Sequence, residues 1–177
     1  MKQLKVHRAQ VPDGTLVIVD MQPGYTFGCK NPRLMASVLA EVRDAKARGW
    51  GIVALEVKPW KFGETDESIM HELGGYKRFV VQRKSDDDGS EEVIKACLEN
   101  GYSLSNFRVV GVYIDACVVG TAVSLVEKLT EAQVRVVKRA CSTNFDEVGR
   151  RNARPDPVPC LQTALSSICL SFVFPVR

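Results

Sequence analysis

Apolar positions along the chain alternate between short solid runs and stretches with a three- and four-residue beat. Thr15–Asp20 (TLVIVD), Gly51–Val57 (GIVALEV), Phe79–Gln82, Val109–Val112, Val134–Val137 and Cys169–Phe174 (CLSFVF) are strand-length runs. Most are apolar on both faces, which predicts strands covered on each side. Between them, Pro32 opens a helix reaching Arg48, and Gly49 ends it. Ser90 caps a helix over Glu91–Asn100 whose buried stripe is Val93, Ile94, Cys97 and Leu98. Cys117, Val118, Thr121, Ala122 and Leu125 mark a helix running from about Cys117 to Thr130. Residues 58–78 read as a polar loop with a short helical piece near Glu67–Leu73. Arg139–Pro159 reads as a polar surface connection, and Cys160–Ser167 as a last helix. Alternating strands and helices predict a three-layer αβα sandwich around a six-stranded, mainly parallel, Rossmann-like sheet.

Composition narrows the picture. At 177 residues and 45% hydrophobic content the chain is expected to form one domain, 1–177, with a sizeable core. The formal charge of +3 comes from 24 basic and 21 acidic residues that are interspersed, unlike the basic face of a nucleic-acid binder. No apolar run has membrane-spanning length and the first residues lack a signal-peptide core, so a soluble cytoplasmic protein with neither nucleic-acid nor membrane partners is expected. Six irregularly spaced cysteines suit neither a disulfide framework nor a paired-cysteine zinc site. The two histidines, His7 and His71, stand in no metal-ligand pattern.

In a parallel sheet, ligands bind beyond the carboxyl ends of the strands. Asp20 ends the first strand, Lys84 follows the third and Cys117 follows the fourth, so the three are expected at one edge as a base, a cation and a nucleophile. Each has a structural alternative: a turn cap for Asp20, a solvated loop lysine for Lys84, a small buried hydrophobe for Cys117. At a helix's first turn, Cys117 would meet unpaired N–H groups and a positive dipole end, which lower a thiol's pKa.

The segments LVIVDMQPGY with Asp20, VVQRK with Lys84 and GVYIDACVVGTA with Cys117 resemble the isochorismatase-like cysteine hydrolases, which include nicotinamidases, carbamoyl-amide hydrolases and isochorismatases. The likeness runs over roughly residues 14 to 145, and the ordered set of three is more specific than any one motif. It implies an αβα fold with a six-stranded sheet and frequent homo-oligomers. It also implies an amidase-type reaction on a small amide or carbamoyl substrate, without a cofactor. Asp20 would take the thiol proton, Cys117 would form a thioester, and Lys84 would support the ion pair. A non-proline cis peptide is implied at Val112–Tyr113, with the Tyr113 and Cys117 N–H groups as oxyanion hole.

Departures from the family pattern shape the expectation. Nicotinamidases carry a metal-binding acid and histidine after the second strand, whereas this chain has Glu56, Val57, Lys58, Pro59 and Trp60; a cation at Lys58 disfavours a metal. Ser85 and the acidic run Asp86–Asp88 replace small and aromatic residues, with carboxylates that either partly neutralise Lys84 or are solvated. Phe27, Trp60 and Tyr113 are candidate pocket residues. Two function classes result: a metal-independent amidase-type hydrolase, and a catalytically impaired relative that serves as a small-molecule-binding or oligomerisation module.

Overall fold

The computed structural model describes residues 13–25 and 29–143. Five strands are present among them: β1 (Thr15–Val19), β2 (Gly51–Val57), β3 (Phe79–Lys84), β4 (Asn106–Val112) and β5 (Gln133–Ser142). They form one sheet in the order β3-β2-β1-β4-β5, and every neighbouring pair is parallel. The expected sixth strand at Cys169–Phe174 and the helix at Cys160–Ser167 lie outside the described residues, as does Phe27.

The sheet is buried because its strands are apolar on both faces. Along β1, Leu16 and Ile18 join one core cluster while Val17 and Val19 join the other, following the two-residue period of a strand. The first cluster is closed by helix α1 (Pro32–Arg48), through Leu34, Met35, Val38 and Val42. The second is closed by α4 (Ser90–Asn100) and α5 (Val119–Lys128), through Val93, Cys97, Ala122 and Leu125. Each such aliphatic side chain contributes roughly 1.5–3 kcal/mol when removed from water. Asn31 accepts from the N–H groups of Arg33 and Leu34 at the start of α1, and Gly49 ends the helix at φ 72°.

The path from β2 to β3 carries two short helices, α2 (Pro59–Phe62) and α3 (Glu67–Leu73). The first was not foreseen, since one turn has no periodicity to detect. Leu98 departs from expectation: it is 67% exposed, because the buried face of α4 runs through Val93, Ala96 and Cys97 and turns it outward. Ser90 is likewise not the cap but a first-turn residue, its N–H donating to Asp88 Oδ1 at 2.8 Å.

Strand β5 is longer than its apolar run. Its pairing with β4 slips between Val109–Val136 and Gly111–Cys141, so the polar Lys138 and Arg139 fall at an irregularity and the strand resumes beyond them. Gly111 is required there. It sits at φ 123° against Val19 of β1, where an added Cβ would lie 2.0 Å from the Val19 carbonyl oxygen. That close approach brings the end of β4 next to the end of β1, where Val19 runs into Asp20.

Candidate active site

The carboxyl ends of β1, β3 and β4 bring Asp20, Lys84 and Cys117 together. Asp20 follows β1 with a left-handed backbone, φ 48°, which an aspartate tolerates better than most residues, and its N–H donates to the Leu55 carbonyl at 3.0 Å. Lys84 is the last residue of β3 and extends across β2: its Nζ lies 2.9 Å from Asp20 Oδ2. The two side chains are 0% and 1% exposed. The Lys84 ammonium also donates to the Asp86 carbonyl oxygen at 2.7 Å.

The pair is held at close range by both charge and hydrogen bonding. Both Asp20 oxygens are shut off from water, so the carboxylate depends on Lys84 and the Cys117 thiol for its polar partners. Burial raises the Asp20 carboxyl above its ordinary value despite the adjacent lysine. Burial opposes the charge of Lys84 as well, but Asp20 and Cys117 outweigh it and the ammonium is held more firmly than usual.

Cys117 lies in a single wide turn, Ile114–Val118, between β4 and α5. The Val118 N–H reaches back to the Tyr113 carbonyl at 3.1 Å, the spacing of a π-type turn, a feature frequent at functional sites. The Val112–Tyr113 peptide preceding it is cis. The thiol is 7% exposed and interacts with Asp20 and Lys84.

Its electrostatics overturn the expectation of a depressed pKa. Burial and the Asp20 carboxylate push the Cys117 thiol up to about 12, and Lys84 offsets only part of that rise. Asp87, too, raises it. The helix terminus and the lysine were legible in the sequence, but the desolvation and the two carboxylates decide the sign. At neutral pH the sulfur therefore rests protonated.

In the acidic run after β3, Asp86 and Asp87 are exposed, which is the solvated one of the two expected arrangements. Lys84 is met by the main-chain carbonyl of Asp86, not by a carboxylate of the run. Asp87 instead accepts from the Cys117 thiol, with Oδ1 3.4 Å from Sγ. Only the bare charge of this residue was visible in the sequence; its partner depends on the path of the loop.

Among the candidate pocket residues, Tyr113 is buried and stands edge-on to Tyr25, ring centroids 5.6 Å apart. Tyr25 stacks on Phe62 at 4.7 Å. Tyr25 and Phe62 were not singled out from sequence; Phe62 stands two residues after Trp60, and their spacing gives no means of telling which ring turns inward. Trp60 is 83% exposed and does not wall a closed pocket.

Solved structures share this architecture. The nicotinamidase SaPncA of Staphylococcus aureus superposes with a TM-score of 0.62 at 15% identity, over 81% of this chain and 97% of that one. The MAR1 ribonuclease of Caenorhabditis elegans gives 0.64 at 16%, over 93% and 96%. A pyrazinamidase of Pyrococcus horikoshii in complex with zinc gives 0.63 at 18%, over 88% and 96%. The chain has the isochorismatase-like fold. No protein-family model and no curated sequence matches it.

Within the isochorismatase-like fold, the segment after β2 is where the resemblance to nicotinamidases implies metal ligands. The residues present do not fit one. Glu56 is buried and its Oε1 is occupied by the Thr65 N–H and hydroxyl at 2.7 and 2.8 Å. Lys58 is exposed with a left-handed backbone, φ 43°, at the start of α2. Among the described residues, no group of three or more His, Cys, Asp or Glu side chains could hold a metal ion. None of the described helices is long and apolar enough to cross a membrane.

Proposed function

We propose that the chain is a cysteine hydrolase that cleaves a small amide or carbamoyl C–N bond through a Cys117 thioester. The observation that carries this reading is the buried Asp20 carboxylate, 2.9 Å from the Lys84 ammonium and interacting with the Cys117 thiol. A base in that position is poised to accept the proton that a thiol with a pKa near 12 does not release unaided.

In the first half-reaction Asp20 takes the S–H proton and the sulfur forms a bond to the carbonyl carbon. The carbonyl oxygen gathers negative charge, for which the Tyr113 and Cys117 N–H groups are assigned as donors. The C–N bond then breaks, the protonated Asp20 gives its proton to the leaving nitrogen, and ammonia or an amine departs. In the second half-reaction Asp20 removes a proton from water, the hydroxyl adds to the thioester, and the C–S bond breaks. The acid is released and the proton returns to sulfur. Lys84 keeps the buried carboxylate ionised between these steps, the task for which its position against Asp20 suits it. Tyr25, Phe62 and Tyr113 offer an aromatic surface near the turn that carries Cys117.

The ribonuclease sharing this fold raises a second activity class, but the acidic run Asp86–Asp88, with Asp87 against Cys117, would repel a phosphate backbone approaching the sulfur. A screen of nicotinamide, aliphatic amides, N-carbamoyl amines and isochorismate, reading ammonia or product acid, tests the proposal. Hydrolysis of an amide or carbamoyl compound, lost in Cys117→Ala and in Asp20→Asn and retained in EDTA, supports it. Absence of turnover on the whole panel, or turnover that survives Cys117→Ala, overturns it and favours a binding or oligomerisation module.

A further inference from the structure

Three acids follow Lys84, and their surroundings separate their tasks. Asp88 is committed to the start of α4: its carboxylate accepts from the Ser90 N–H at 2.8 Å and from the Ser90 hydroxyl at 3.1 Å, and Lys128 lies 3.8 Å away. Asp86 Oδ1 accepts from the Asp88 N–H at 3.0 Å, which shapes the loop. Asp87 alone of the three directs its carboxylate at Cys117, 3.4 Å from the sulfur, while remaining solvent-exposed.

The loop is anchored on both sides of this residue. The Asp86 carbonyl is held by Lys84, and the Gly89 N–H donates to Thr121 Oγ1 of α5 at 3.1 Å. The main chain of Asp87 lies against the first turn of α5, where a Cβ placed on Gly120 would stand in ordinary contact with the Asp87 carbonyl oxygen at 3.5 Å. Asp87 is therefore placed by the fold rather than by its own flexible side chain.

Charge balance gives the arrangement its meaning. The charges of Asp20 and Lys84 offset each other within the buried pair, so the Asp87 carboxylate leaves the neighbourhood of the sulfur with a net negative charge. We propose that Asp87 is a specificity-determining residue of the Cys117 site, admitting amide or carbamoyl substrates with a cationic group beside the scissile carbonyl and rejecting those with a carboxylate there. The inference rests on the reading of Cys117 as the nucleophile. An ammonium bound at Asp87 would also displace the S–H donor from that carboxylate and leave the proton facing Asp20. Substrate charge and nucleophile activation are thereby coupled through one side chain.

Two readouts test this on the intact chain. The first measures Cys117 modification by methanethiosulfonates with cationic (2-aminoethyl) and anionic (2-sulfonatoethyl) tails, followed by peptide mass spectrometry. The cation-to-anion rate ratio at Cys117 should fall roughly tenfold from the native protein to Asp87→Asn, the scale of one nearby charge in a partly hydrated site. Asp87→Glu should keep most of the ratio, and Glu99→Gln, at the far end of α4, should leave it unchanged. The second compares kcat/KM for glycinamide, propionamide and malonamate, a cationic, neutral and anionic set of similar size. Preference for glycinamide over malonamate should collapse in Asp87→Asn. Equal modification ratios in the native and Asp87→Asn proteins overturn the inference. If none of the three amides is hydrolysed, the amidase reading suffers, and the modification ratio still decides the role of Asp87.

Discussion

Lys84→Met removes the positive partner of a carboxylate that is itself only 1% exposed. At 2.9 Å the gross attraction in the native pair is about 6 kcal/mol for an effective dielectric near 20, and desolvation of the two ions takes back several kcal/mol of it. The pair therefore adds little net stability, yet breaking it strands a buried charge, which costs about 3–5 kcal/mol. Adding Asp20→Asn removes that charge while keeping a residue that tolerates the left-handed backbone at φ 48°, and should restore most of the loss. The pH dependence follows from the sign of the shift. Burial already raises Asp20 above 3.8, and without Lys84 it rises further. A folded pKa above the unfolded one gives stability that is complete below the unfolded value and lost as pH rises through the folded value. Urea unfolding at pH 4 and pH 8 should show Lys84→Met close to the double variant at the lower pH and well below it at the higher. Equal losses at both pH values, or a double variant no more stable than the single one at pH 8, would refute the buried ion pair as described.

Two further outcomes are expected. Because Asp20 must be ionised to take the thiol proton and its carboxyl is raised by burial, the acid limb of kcat/KM should lie above the ordinary carboxyl value of 3.8, and Asp87→Asn, by removing a neighbouring negative charge, should move that limb downward; a limb at or below 3.8 speaks against Asp20 as the base. Gly111→Ala, which adds a Cβ 2.0 Å from the Val19 carbonyl at φ 123°, should destabilise the protein by roughly 2–6 kcal/mol in the same unfolding assay, and a loss under about 1 kcal/mol would show that β1 and β4 are not so closely apposed.

The layout of the sheet was legible because its signal is collective. Each of the five described strands contains an apolar run, and the ends of β1, β3 and β4 delivered Asp20, Lys84 and Cys117 to one edge, as their positions after the runs implied. Errors gathered where a side chain's fate depends on angle or path. Leu98 fits an apolar stripe on spacing but lies one rotation step past Cys97. Lys138 and Arg139 interrupt the apolar run because the strand is irregular there, and the pairing that extends β5 is set by β4. Trp60 and Phe62 are near neighbours in sequence, yet the first is exposed and the second stacks on Tyr25. The protonated resting state of Cys117 has a related cause. Local features that lower a thiol's pKa are written in the sequence, whereas burial and the approach of Asp87 arise only from the assembled site.

As the proposed nucleophile, Cys117 becomes covalently acylated during turnover. Acid quenching of the protein with the amide that the screen selects, followed by peptide mapping in a mass spectrometer, reads this directly. An adduct on the Cys117 peptide equal to the substrate less its amine, labile to hydroxylamine as a thioester is, is expected, as is a Cys117→Ala protein with neither adduct nor turnover. Sustained turnover in Cys117→Ala, or an adduct on Cys29, Cys97 or Cys141 in place of Cys117, would contradict it.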